Sequence, residues 1–440
     1  MRMGCRQSKD GKSIYEKESL EAAEHEGAIN CMGLSEDGSL LVTGSDDWTA
    51  RMWSTQTDDT ECLGVLEGHE NSVTCVALSD TFVITGSSDT TIRKWDMTRC
   101  ECIFIYEGHT ARINRLICTG EFIFSASSDR TSRAWIYDTD ALSQINDAKA
   151  CIKTFKGHRH GIHALIFLSG DAHGSSDTDD ERDEELVADD TVTIHPGDRL
   201  ITGSMDTTAK SWNVDTGQLI HTFRGHKGPI VCMTTDEDAE TLFTAGEDHA
   251  IKIWDISNGM LIRTMDGHAD AILCMQVVKK LLYTGSKDKT ARCWVTAFGE
   301  NTRTYQKSQH SVSCLKVANG VVFTGSGDTH ARAYDAKSGA LKRTYTGHGS
   351  AISCLQWINH KLYTGSNDGV LKVWDARDIA DDPVVNESDS DSEEDEDMKE
   401  LNKENKVRLR ELERRLENVG TTDDEIKQME DTMAGIQDYD

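Results

Sequence analysis

The chain has 440 residues and a formal charge of −29, from 47 basic and 76 acidic side chains. That balance argues against a nucleic-acid binder, which needs a Lys/Arg footprint to neutralise phosphates. No apolar run approaches the roughly 20 residues of a membrane-spanning helix. Thirteen cysteines without an apolar leader suit reduced thiols in a cytoplasmic protein.

Residues 1–12, MRMGCRQSKDGK, form a polar N-terminal segment. Read from Met3, Gly4 and Cys5 have the layout of an acylation site, myristate on the glycine and palmitate on the cysteine. One acyl chain binds membranes marginally, so Cys5 and the nearby Arg6, Lys9 and Lys12 would supply the second signal. Read from Met1, the same glycine is internal and inert.

Residues 13–376 are a repeat. TGSDDWTARMW ends at Trp53, TGSSDTTIRKW at Trp95 and SASSDRTSRAW at Trp135. Five further copies end at Trp212, Trp254, Trp294, Tyr334 and Trp374. The aromatic recurs every 40 to 42 residues, except across the gap from Trp135 to Trp212. An aspartate stands six residues before each aromatic. A histidine precedes that aspartate by 18 to 22 residues in seven copies, and by 48 in the fourth, from His158 to Asp206. In the first and seventh copies the histidines are His25 and His310, preceded by Glu24 and Gln309 where the others have glycine. Four short runs of period two fill each copy, with Gly, Ser and Asp between them. Such units cannot bury a core alone and must pack side by side.

The Gly-His, Ser/Thr-x-x-x-Asp and Trp-Asp spacings resemble the WD-repeat β-propeller family over about residues 20–376. The resemblance implies an all-β ring of four-stranded blades. Eight copies point to eight blades, and the seven usual in the family are the alternative. The last blade would take its fourth strand from the N-terminus, around SIYEKESLEAA. The resemblance also implies a buried hydrogen-bond chain in each blade, in the second copy His69, Thr85, Asp89 and Trp95. Partner proteins of the family usually dock on the face that carries the histidine loops and aspartate turns. The residues there that differ between copies are Asp46, Trp48, Arg112, His160, Met205, Glu247, Lys287 and Asn367. Their mixed charge suits a specific protein groove, and Trp48 is the best anchor among them.

A basic residue follows each aspartate by four positions, from Arg51 to Lys372. Two places before the aromatic is the same strand face, so these stems are expected to pack beside the ring. Five cysteines, Cys31, Cys75, Cys232, Cys274 and Cys354, stand six after a histidine, as small buried hydrophobes would. No spacing specifies a metal site, a cofactor or a catalytic group.

Two appendages hold most of the charge. Residues 169–199, inserted between the first and second strands of the fourth copy, carry eleven acids against Arg182 and Arg199, and read as disordered. Residues 377–397 are an acidic linker in which Ser388, Ser390 and Ser392 each precede an acid by three, as an acidophilic kinase requires. Residues 398–440 read as a short amphipathic helix and tail. Leu409, Leu412, Leu416 and Val419 offer a stripe for a partner or a weak dimer, too short for a confident coiled coil.

These features describe a non-enzymatic scaffold or adaptor with protein partners, tethered to the cytosolic face of a membrane if Gly4 is acylated. The alternative is a substrate receptor of a cullin–RING ubiquitin ligase, because Trp374, Asp375 and Arg377 resemble the Trp-Asp-x-Arg signature of such receptors.

Overall fold

The computed structural model describes residues 25–56, 61–79, 81–138, 150–170, 194–377 and 379. Among these residues 31 strands form eight antiparallel sheets, each a meander in chain order. Blade 1 runs β1 (Ile29–Leu34), β2 (Leu40–Ser45), β3 (Ala50–Ser54) and β4 (Cys62–Leu66). Blades 2 to 7 cover Val73–Tyr106, Ile113–Lys156, Ile162–Arg224, Ile230–Met265, Ile272–Tyr305 and Val312–Tyr345. Blade 8, Ile352–Asp375, shows three strands. The segment expected to complete it lies outside the described residues.

The sequence pattern explains each strand. Second strands such as β2, LLVTGS, are buried at every position. They have a partner on either side and a blade on either face, so alternation disappears. The glycine of Thr-Gly-Ser lets the next blade approach. A Cβ on Gly44 would stand 2.6 Å from Val73 Cγ1 and 2.7 Å from Cys31 Sγ. Each tryptophan packs on the preceding blade. Trp95 lies with Leu40, Val42, Met52 and Leu66 of blade 1, and Trp53 lies with Tyr363 and Leu371 of blade 8.

Inner strands are stapled to one another around the central channel. Asn30 Nδ2 donates to the Val73 carbonyl at 3.1 Å, and Asn114 Nδ2 to the Ile162 carbonyl at 2.7 Å. The last staple closes the ring, with Ser353 Oγ donating to the Ile29 carbonyl. The His25 amide reaches the Gly369 carbonyl at 3.1 Å. Eight blades therefore form a closed propeller.

Within a blade, four side chains form one chain of bonds whose direction chemistry dictates. Indole can only donate, and carboxylate only accepts. Trp Nε1–H therefore donates to the Thr or Ser hydroxyl, which donates to His Nε2, and His Nδ1–H donates to the aspartate. In blade 2 these distances are 2.8 Å from Trp95 to Thr85, 2.7 Å from Thr85 to His69 and 2.7 Å from His69 to Asp89. Blades 1 to 6 all close the His–Asp bond, at 2.6 to 2.8 Å. In blade 8 His348 holds Thr364 at 2.7 Å, but its Nδ1 stands 3.6 Å from Asp368.

Blade 7 departs from the expectation placed on His310. That side chain is exposed and bonds only its neighbour Ser311, at 3.0 Å. The Gln309 amide bonds Asp328 as the Gly349 amide bonds Asp368, so the histidine position belongs to Ser308. Lys307, with φ of 151°, stands where other blades have glycine. Arg332 fills the space instead, pairing with Asp328 at 2.9 Å and reaching Ser308 at 3.3 Å. The glycine, histidine and tryptophan are thus lost together.

Blades 2 and 7 should therefore respond differently to the same substitution. Thr85→Val keeps the shape but orphans both His69 and Trp95, at about 1–3 kcal/mol for each buried group. The matching Thr324 of blade 7 bridges no histidine and no indole, and its buried hydroxyl has only the Tyr334 phenol beside it, so Thr324→Val costs less than Thr85→Val. Denaturant unfolding of the two variants measures the difference.

Candidate functional site

The histidine face is built from tight turns clamped by the same aspartates. In blade 1, Asp47 Oδ1 accepts the Thr49 amide at 2.9 Å, while Oδ2 accepts His25 and the Glu26 amide at 3.1 Å. Burial alone would raise this carboxyl, but bonds from His25 and Thr49 outweigh it and hold it well below the ordinary range. The residue after each aspartate is forced into the left-handed region, with φ from 64° to 83° in all eight blades. Blade 8 meets that demand with Gly369, and blade 1 places Trp48 there.

All eight residues singled out from the sequence are exposed on this face. Trp48 is 52% exposed and Met205 45%. Asp46 accepts Asn30 Nδ2 at 2.7 Å, tying it to the inter-blade staple of blade 1. Arg112 belongs to a basic sector that the repeat spacing does not reveal. Arg115, on the inner strand of blade 3, is exposed beside it. Burial, with Arg112 and Arg115 nearby, lowers the His163 imidazole. A signal for Arg115 was present, because it stands six after His109, where five other copies have cysteine. Burial pushes those channel thiols up, Cys75 and Cys354 to about 11 and Cys232 to about 12, so they stay protonated.

The basic residues four after each aspartate are packed into the blades, as their spacing implies. Arg133 lies 5.7 Å from the Trp135 ring centre, and Lys210 and Lys252 are buried with their ammonium groups on Thr222 and Thr264. Trp374, Asp375 and Arg377 do not form one surface. Trp374 is buried on Thr364, while Asp375 and Arg377 make an exposed ion pair at 2.7 Å on the opposite face. Gly4, Cys5, Ser388, Ser390 and Ser392 lie outside the described residues. Among the described residues no group of three or more His, Cys, Asp or Glu is placed to hold a metal.

A closed ring of meander blades with clamped turns on one face defines a propeller of the interaction class. The model of the WD domain, G-beta repeat, matches residues 18–54, 60–96, 100–135, 217–255, 259–295 and 339–375, about half of the chain. The chain belongs to the WD40 repeat family. The unmatched copies are the one carrying the acidic insertion and the one built on Ser308 and Tyr334. Human WD repeat-containing protein 86 is 52% identical over 58 residues, 13% of this chain and 15% of the relative. Mitochondrial division protein 1 of Saccharomyces cerevisiae is 33% identical over 94 residues, 18% of this chain and 13% of the relative. The Aspergillus niger protein of that name is 25% identical over 187 residues, 42% of this chain and 22% of the relative. The chain thus spans less than a quarter of the length of these curated relatives. The crystal structure of the computationally designed Ika8 protein is similar at a TM-score of 0.66 and 25% identity, over 81% of this chain and 98% of that one.

Blade 8 gives this face a pH dependence. Burial pushes the His348 imidazole down to about 4, whereas an unfolded histidine titrates near 6.5. A lowered histidine is protonated first in the unfolded chain. Its contribution is therefore complete above pH ~6.5 and lost as pH falls towards ~4. The aspartate clamps, held low, weaken only below the ordinary carboxylate range of ~4. Thermal unfolding midpoints should fall between these limits in the parent and fall less steeply in His348→Gln.

Proposed function

We propose that the chain is a non-enzymatic scaffold that grips a segment of a partner protein across the histidine face. Trp48 carries the reading. A left-handed conformation costs a non-glycine residue roughly 1–2 kcal/mol, and an indole left half in water recovers little of that by burial within the chain. The clamped turn imposes that conformation in every blade, so what marks Trp48 is its exposed indole, and exposed tryptophans are enriched among binding hot spots. Arg112 and Arg115 add an exposed positive sector two blades away, which favours a partner segment bearing acidic residues. The test separates binding from folding. Trp48→Gly relieves the backbone, so it should raise stability by ~1 kcal/mol while weakening partner capture. Proximity labelling from the intact N-terminus, in the parent, Trp48→Gly and Arg112→Ala with Arg115→Ala, reads the outcome. An unchanged labelled set in both variants sinks the reading.

The membrane tether is part of the same proposal. Acylation at Gly4 and Cys5 would hold the propeller at a cytosolic membrane surface with the histidine face turned to its partner. Intact-mass measurement should show the acyl additions and the loss of Met1 to Met3. Retained Met1 with an unmodified Gly4 would leave a scaffold without that tether.

A further inference from the structure

The face opposite the histidine turns holds a cleft of about 790 Å³, framed by the turns of blades 5, 6 and 7. Its floor is apolar, from Phe243, Ile253, Val278, Leu281 and Val321. Its rim is basic towards blades 6 and 7, with Lys279, Lys280, Arg303, Lys337 and Lys342, and Arg263 reaches in from blade 5. Two of these side chains are held in place by carbonyls, Arg263 by Phe298 at 2.6 Å and Arg303 by Lys337. Such bonds fix a guanidinium without cancelling its charge. The acids of the cleft are Asp236, Glu237 and Asp238 at the blade 5 end, and Asp335 near Lys342 at 3.8 Å. Asp236 and Glu237 also accept backbone amides, of Thr241 and Lys279. The excess positive charge therefore lies towards blade 7.

The chain leaves the described residues at that end. After blade 8, Ala376 and Ile379 turn back and bury themselves in the core between blades 7 and 8. Lys342 Nζ, on the cleft rim, donates to the Ile379 carbonyl at 3.1 Å. The next stretch of chain, residues 380–397, reads ADDPVVNESDSDSEEDED, with ten acids and no base. Pro383, Val384 and Val385 are flanked by Asp381 and Asp382 on one side and Glu387 on the other. From Ile379 to Val384 an extended chain spans up to roughly 17 Å.

We propose that residues 381–393 of this chain dock in cis in the cleft, Val384 and Val385 on the apolar floor and the flanking acids on the rim of blades 6 and 7. The geometry supplies three reasons. The segment starts at the rim, its apolar pair matches the floor, and its charge is opposite in sign to the nearest wall. The short tether keeps its effective concentration high. Ser388, Ser390 and Ser392 sit where added phosphate would strengthen the hold on the lysines.

Carbodiimide cross-linking of the full chain, followed by peptide mass spectrometry, tests this directly, since it joins lysines to carboxylates in contact. The expected links join Lys280 or Lys337 to Asp381, Asp382 or Glu387, with a yield unchanged by dilution. Val384→Asp with Val385→Asp adds negative charge but removes the apolar anchor. It should lower the yield several-fold and speed amide exchange in the turn at Lys279–Leu281. Ser388→Glu with Ser390→Glu and Ser392→Glu should make the links more resistant to salt. The proposal is overturned by links from these lysines to residues 171–193 instead, by links that vanish on dilution and so belong to a second copy, by no link to residues 380–397, or by a yield indifferent to the valine substitutions.

Discussion

In six of the eight blades the histidine face rests on an imidazole bonded at both ends, to a buried hydroxyl and to the aspartate of the turn. Because indole only donates and carboxylate only accepts, both ends of the four-membered chain are fixed, with the hydroxyl and the imidazole bonded between them. It links the second and third strands to the turn between them and to the loop that enters the blade. His69 anchors it in blade 2, joining Thr85 at 2.7 Å to Asp89 at 2.7 Å. The same aspartate caps its own turn through the Thr91 amide at 2.8 Å. The aspartate's bonds within its turn persist in blades 7 and 8, where Asp328 and Asp368 still accept the amides of His330 and Val370 and the next residue is still left-handed. The face is therefore rigid in backbone and free in side chain. That combination lets Trp48 or Arg112 be chosen for binding without altering the blade beneath.

Blade 7 shows how the ring absorbs the loss of that link. Without the histidine, Asp328 would be a half-buried carboxylate lacking its counterpart, and Arg332 supplies the charge at 2.9 Å. Tyr334 keeps the aromatic position and is buried with Tyr283, Cys293 and Val322 in the core shared with blade 6. Packing between blades thus continues where bonding within the blade has been rewritten. The inner-strand staples run on past this unit, with Ser313 Oγ donating to the Ile352 carbonyl and Ser353 Oγ to the Ile29 carbonyl.

The repeat and the all-β ring were legible in the sequence because each motif residue answers a local demand. Thr85, Asp89 and Trp95 recur at fixed offsets within one hairpin, where strand pairing permits no slippage. The histidine was less secure, since it reaches the aspartate across a strand and a turn of variable length. Counting back from Asp328 therefore selected His310, although Lys307 and Ser308 occupy the glycine and histidine places. Arg115 was visible only as a break in the cysteine column, and its meaning needed the ring that gathers those positions around one channel. The cleft was not legible at all. Its lysines come from two different blades, Lys280 of blade 6 and Lys337 of blade 7 being 57 residues apart, and nothing in any single repeat announces that they face one another.

The two faces of the ring are under different physical constraints. A turn on the histidine face cannot lengthen without moving its aspartate from the imidazole, and a broken buried bond costs ~1–3 kcal/mol. Turns on the other face carry no such clamp. In blade 2 the connection of the first two strands is held locally, by the Ser79 amide on the Phe82 carbonyl at 3.0 Å. In blade 4 the same connection runs from Leu168 to Arg199 with the strands still in register. Loop closure costs grow only slowly with length, so an acidic insertion fits there at little expense. The chain also leaves blade 8 on that face. The departures of the chain from the described blades after Gly170 in blade 4 and after Ile379 beyond blade 8 therefore both lie on the face opposite the histidine turns.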